Sequence, residues 1–165
     1  MSQSLSTHPG AQRGQSLLTA ILLTGLLAGT LDATAATVNF WIHGGTGPGK
    51  IWRYVASAAL GPSARTGGTD MVLLGLLFHY IVAFCFTIFY FVVYPKIPAL
   101  SKSVVVSGLL YGVFAWLVMN LAVVPLSRIG KFPSTLESVI TNMLILMVMI
   151  GLPVAWMARR YYGQK

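Results

Sequence analysis

Three acidic residues, three histidines and a single cysteine are the side chains in this 165-residue chain that most readily ligate a metal or exchange a proton near neutral pH. Asp32 and His79 stand apart from the rest because each lies within a long apolar stretch. A carboxylate facing lipid near mid-membrane costs about 2.5–3.5 kcal/mol or more, so Asp32 is expected to face protein. With a rise of about 1.5 Å per helical residue, Asp32 lies about 15 Å from the first-loop side and His79 about 12 Å from it. The two can therefore meet. Together they would form a buried site for a proton or small cation; the competing use is a structural hydrogen bond that fixes helix register. Asn39, Asn120 and Asn142 fall in the same half of the membrane. They would either line a polar vestibule or make interhelical amide hydrogen bonds, worth about 0.6 kcal/mol on average.

Other chemistries find too few partners. Residues 44–50 fit G-x-x-x-x-G-K, but Ile51 stands where a Ser or Thr hydroxyl would hold magnesium, and no strand precedes the loop. A juxtamembrane turn is the better reading. Haem would need two histidines at one depth, whereas His43 is interfacial, His79 is deep and His8 is in a polar tail. Cys85 lies alone in an apolar run, which excludes an intrachain disulfide and a Cys-based metal cluster. No Ser, Cys and His arrangement suggests nucleophilic catalysis, so no catalytic residue, metal or cofactor is expected. A membrane enzyme is disfavoured because lipid-modifying enzymes usually gather several acids or histidines at one interface.

Such residues have to be positioned by membrane helices. The chain is 56% hydrophobic and 8% charged, where a soluble domain needs roughly a quarter of its residues charged. Its mean hydropathy is +0.76. Lipid is thus the solvent for most of it, and backbone groups in lipid must be satisfied within the segment, which favours helices of about 20 residues. Four stretches qualify: 17–42, 71–93, 104–124 and 135–158. They form one domain, 17–158, between a polar N-terminal tail, 1–16, and a basic C-terminal tail, 159–165. The expected fold is an all-α four-helix transmembrane bundle. Arg13, the apolar residues after it and Ala33-Thr34-Ala35 also imitate a cleavable signal peptide, but the apolar run continues through Phe40, Trp41 and Ile42.

Helical spacing places Gly25, Gly29, Asp32, Ala33 and Ala36 on one face of the first span, and Gly75, His79, Ala83 and Thr87 on one face of the second. Gly25/Gly29 and Gly108/Gly112 have the G-x-x-x-G spacing that lets membrane helices approach closely, and their similar contexts hint at two related hairpins. Tyr90, Tyr94, Trp156, Tyr161 and Tyr162 suit one interfacial belt, and Trp41, Trp52 and Tyr54 the other. Ser134 and Glu137 have capping-box spacing for the fourth helix, Asp70 suits the start of the second, and Pro153 suits a kink in the fourth.

The first loop, 43–70, predicts a short interfacial helix over 51–60, with Ile51, Trp52, Val55 and Ala58 or Ala59 to one side. Lys50, Arg53 and Arg65 would meet lipid phosphates. The net charge of +8 is spread between apolar runs, which points to membrane lipids as partners and away from nucleic acid. Arg13, Lys96, Lys102, Arg159, Arg160 and Lys165 on the tail side outnumber Lys50, Arg53, Arg65, Arg128 and Lys131 on the other by six to five. The positive-inside rule then puts both termini in the cytoplasm, with dual topology as the alternative for so small a margin.

Gly29-Thr30-Leu31-Asp32, the segment from Ala56-Ser57 to Gly61, Gly67-Gly68, His79-Tyr80 and the stretch from Asn120 to Pro125 together resemble a family of small bacterial inner-membrane proteins of unknown function, similar in pattern to the YagU protein. The resemblance covers nearly the whole chain after the tail. It implies a four-span inner-membrane protein and supplies no activity, ligand or catalytic residue. The expected function is handling of protons or a small solute around Asp32 and His79, with a homo-oligomer as the expected form. The alternative is a structural or partner-binding membrane subunit.

Overall fold

In the computed structural model, which describes residues 16–47, 49–130 and 135–163, the apolar runs become four helices long and apolar enough to cross a membrane. The spans are Leu17–Ile42, Thr69–Lys96, Val104–Leu126 and Leu136–Tyr162. The first loop carries the loop helix, Gly49–Leu60, and a 3-10 turn, Pro62–Thr66. No strand occurs among the described residues. The first span is one continuous helix through Ala33-Thr34-Ala35 to Ile42.

Three helix starts are fixed by hydroxyls that accept an otherwise unpaired backbone N–H: Ser16 from Thr19 at 3.1 Å, Ser103 from Val106 at 3.3 Å and Thr135 from Ser138 at 3.2 Å. The cap of the fourth span is therefore Thr135, one residue after the expected Ser134, which lies outside the described residues. Asp70 does not cap the second span; Gly68 precedes that helix without a side-chain cap, and Asp70 sits in its first turn, where a carboxylate complements the helix dipole.

The third and fourth spans run past their expected ends, and both contain a π-helical turn, Met119–Val123 and Met147–Gly151. Each wide turn ends two residues before a proline, Pro125 or Pro153. Proline lacks an N–H and its ring crowds the carbonyl four residues back, so a locally wider helix accommodates it without ending the span. Arg159 and Arg160 lie in the last turn of the fourth span rather than beyond it.

Consecutive spans run in opposite directions. The first and third loops meet at one end, where the Arg128 N–H donates to the Ala58 carbonyl at 2.8 Å and satisfies the end of the loop helix. The buried core lies at the other, tail-side end, among Tyr90, Phe91, Tyr111, Val154, Ala158 and Tyr161. Tyr111 donates to the Phe86 carbonyl at 2.6 Å and Tyr162 to the Phe91 carbonyl at 2.9 Å. Tyr90, Tyr94 and Tyr161, expected in an interfacial belt, are instead buried in this core, whereas Trp156 is exposed as a belt residue would be.

The two glycine pairs do different work. A Cβ on Gly108 would lie 2.9 Å from the Gly151 carbonyl oxygen, and one on Gly112 would overlap the Met147 backbone. The third and fourth spans thus touch backbone to backbone. In the first span Gly25 lies under the Phe84 ring, and a Cβ on Gly29 would stand 3.0 Å from the Tyr80 ring and 3.2 Å from the Ala83 Cβ.

Candidate functional site

The small faces expected on the first two spans do meet. Gly25, Gly29 and Ala33 are buried on one, Gly75, Ala83 and Thr87 on the other, with Asp32 and His79 half-buried at the same level. Glycine at position 29 lets Tyr80 and Ala83 come close, and this brings the His79 ring against the first span. There His79 Nε2 is 2.9 Å from the Gly29 carbonyl oxygen. A carbonyl only accepts, so Nε2 carries the hydrogen and donates it. His79 Nδ1 is then left 3.9 Å from Asp32 Oδ2, with both side chains about one-sixth exposed at most, at 14% and 16%.

The tautomer set by Gly29 has a chemical consequence. In neutral imidazole with Nε2 protonated, Nδ1 is an acceptor, and an ionised carboxylate offers only acceptors. Nδ1 and the carboxylate are then two lone-pair groups facing each other, about 1 Å beyond hydrogen-bond range. One proton on either atom converts the pair into a donor and an acceptor.

Two rings close around the imidazole. Trp52 of the loop helix stands edge-on at 5.4 Å between centroids, and Tyr80 at 5.5 Å. The Tyr80 hydroxyl shares a 2.8 Å hydrogen bond with Thr30, which holds the first two spans together beside the site. Trp52 reaches it because Gly75, one turn before His79, has no side chain: a Cβ there would collide with the Trp52 carbonyl. Below the site, Thr24, Ala28 and Thr87 are fully buried, and Thr24 and Thr87 donate back to the carbonyls of Ala20 and Ala83.

The three asparagines are not brought together by hydrogen bonds among the described residues. Asn120 donates to the Trp116 carbonyl at 2.9 Å and Asn142 to the Ser138 carbonyl at 2.8 Å, each on its own helix, rather than across helices. Asn39 lines an open groove of about 440 Å³ between the first and fourth spans, with Leu31, Thr34, Val38, Ile145 and Met149. An amide one turn from its own helix carbonyl reaches that acceptor with less loss of side-chain freedom than one on a neighbouring span.

The basic residues of the first loop turn inward on the loop itself. Lys50 donates to Thr46 at 2.6 Å, Arg53 to the Gly67 carbonyl at 3.0 Å, and Arg65 to Ser57 at 3.3 Å while lying over the Tyr54 ring at 5.0 Å. Arg53 Nε is buried with no hydrogen-bond partner among the described residues. Burial pushes the Tyr54 phenol above its usual range, opposed by the Arg65 guanidinium. The loop helix begins at Gly49, and its buried face is Trp52, Ala56 and Ser57; of the expected face only Trp52 is fully buried, and Ala59 is exposed. His43 caps the first span, with Nδ1 2.8 Å from the Asn39 carbonyl and Nε2 4.0 Å from the exposed Glu137. Among the described residues no group of three metal-ligating side chains gathers.

Trp52 and the Gly29 carbonyl are the parts of the site that the sequence pattern does not announce. A glycine at position 75, aligned one turn before His79, is the signal that something packs there. Compared with protein-family models, with curated proteins and with solved structures, the chain matches none.

Proposed function

We propose that this four-span membrane protein binds and releases a proton at the Asp32–His79 pair, from the side of the first and third loops. The observation that carries the reading is the meeting of His79 Nδ1 and Asp32 Oδ2 at 3.9 Å while Nε2 is committed to Gly29. That arrangement has one vacancy for a proton and two atoms able to hold it. The rings of Trp52 and Tyr80 fill the space about the imidazole, which favours a proton over a larger solute. An intramembrane carboxylate paired with histidine is also the usual composition of a proton relay.

The proposal includes a bacterial inner-membrane location, cytoplasmic termini on the six-to-five Lys and Arg bias, kinship with the YagU-like family, and no enzymatic activity. Lys50, Arg53 and Arg65 sit in the first loop, where each basic residue near an anionic surface contributes about 1 kcal/mol to lipid attraction. A second reading, a structural or partner-binding subunit, is favoured by the loop-side half of the fourth span: Leu136–Leu146 contains no buried residue. A homo-oligomer would cover that half.

The test is proton flux in proteoliposomes together with a stability cycle on Asp32→Asn, His79→Gln and the double variant, at about pH 5 and about pH 8, either side of the usual imidazole range. Proton handling predicts loss of flux in Asp32→Asn and a coupling energy that changes with pH. Additive stabilities with unchanged flux would favour the structural subunit.

A further inference from the structure

We propose that the loop helix Gly49–Leu60 is a lid over the proton site, with Trp52 as the part that plugs it; this rests on the proton-binding reading of Asp32 and His79. The site is closed on its tail side by fully buried Thr24, Ala28 and Thr87 and by the Tyr80 ring over Gly29. A proton therefore has to come and go on the loop side. What stands there is Trp52, 7% exposed, with its ring against His79 and its backbone against Gly75.

The way this helix is attached fits a part that moves as a unit. Its interior bonds follow its own helix, and it is seated on the second span with Gly49 against Val72, the Trp52 backbone against Gly75 and the Trp52 ring against His79. At its C-terminal end one backbone hydrogen bond from Arg128 to Ala58 ties it to the third loop. Its flanks are built to turn: Gly44 and Gly47 before it have φ of 80° and 78°, with nothing within 4 Å of the position a Cβ would take, and Gly61 after it has φ of 95°. Those conformations are open to glycine and strained for other residues, and the hydrogen bonds along the approach to the lid are local ones, from Gly44 and Gly45 back to Trp41 and Phe40 and from Lys50 to Gly47. The lid opens by lifting Trp52 off His79, which lets water reach Nδ1 and the Asp32 carboxylate together.

The structure supplies a lock. A Cβ on Gly49 would lie 2.9 Å from a methyl of Val72, so Gly49→Cys with Val72→Cys, in a Cys85→Ala background, joins the lid to the second span. Gly75→Val does the reverse, since its side chain displaces the Trp52 backbone. The readout is deuterium exchange at the imidazole C2 of His79 in the full-length protein in lipid, followed by mass spectrometry at one fixed pH. Exchange should fall about tenfold in the oxidised double-cysteine protein, return on reduction, and rise above wild type in Gly75→Val. Equal exchange in oxidised and reduced protein, no rise in Gly75→Val, or a disulfide that fails to form under oxidant would each overturn the lid. Exchange at C2 needs the protonated ring as well as water beside it, so the ratio of oxidised to reduced protein at one pH reads access, and a failed proton reading would appear separately in the flux and the pH coupling.

Discussion

The two G-x-x-x-G pairs have the same spacing and opposite surroundings. Gly108 and Gly112 lie against the backbone of the fourth span, at Gly151 and Met147, whereas Gly25 and Gly29 lie against the rings of Phe84 and Tyr80. A ring can turn about its side-chain torsions to admit a methyl group, but a packed backbone cannot without moving a whole span. The motif therefore specifies that something comes close and leaves open whether that partner can yield. The difference also divides the molecule: the third and fourth spans are joined rigidly beside the aromatic core, and the first and second are joined through side chains beside the polar site.

Substitutions can break this contrast, read as unfolding free energy in detergent. Gly112→Ala is expected to cost most, about 3 kcal/mol, the upper end for overpacking a core that cannot relax. A loss no larger than that of Gly25→Ala would show that the third and fourth spans are not in backbone contact. Asp32→Leu comes next, at about 2 kcal/mol, because His79 keeps its bond to Gly29 but loses its partner at Nδ1. Asp32→Asn should lose less than half of that, since the amide can donate to Nδ1 where an ionised carboxylate cannot; equal losses would mean that charge and not hydrogen bonding ties the two spans.

Tyr111→Phe is expected to cost about 1 kcal/mol through the lost hydrogen bond to the Phe86 carbonyl. This substitution measures the tail-side core without creating a clash. Gly25→Ala is the smallest effect, within about 1 kcal/mol of zero, because the Phe84 ring can shift and alanine is the better helix former. A loss as large as that of Gly112→Ala would mean that Phe84 is as immovable as backbone and would erase the distinction between the two halves.

The four spans, the small face of the first and the Gly75-His79-Ala83-Thr87 stripe of the second are legible in the sequence, because apolar length and helical period determine them directly. Depth counting also places Asp32 opposite His79. The carbonyl of Gly29 is not legible: a backbone acceptor leaves no trace in residue type, and only the close approach allowed by a glycine hints at it. Trp52 is misplaced by pattern alone, because tryptophan suits an interface and a 12-residue amphipathic helix does not announce how deeply it sinks. The tail-side tyrosines fail for a related reason. Tyr90, Tyr94 and Tyr161 pack ring against ring with Phe91, Tyr111 and Tyr162, so residues that commonly reach for the headgroups are buried here.

The π-turns at Met119–Val123 and Met147–Gly151 bear on how such a chain tolerates changes of length. Each is in effect one residue more than a regular α-helix would use over the same rise, so the third and fourth spans are each two helical wheels joined out of phase. A wheel drawn straight through the fourth span from Leu144 would assign Trp156 and Ala158 to the wrong sectors. The extra residue is also the natural place for a one-residue insertion or deletion to be absorbed. Such a change would rotate the loop-side contour that the bundle presents to lipid and leave Val154, Ala158 and Tyr161 in register with their core, so near relatives could differ in what they meet in the membrane while sharing one interior.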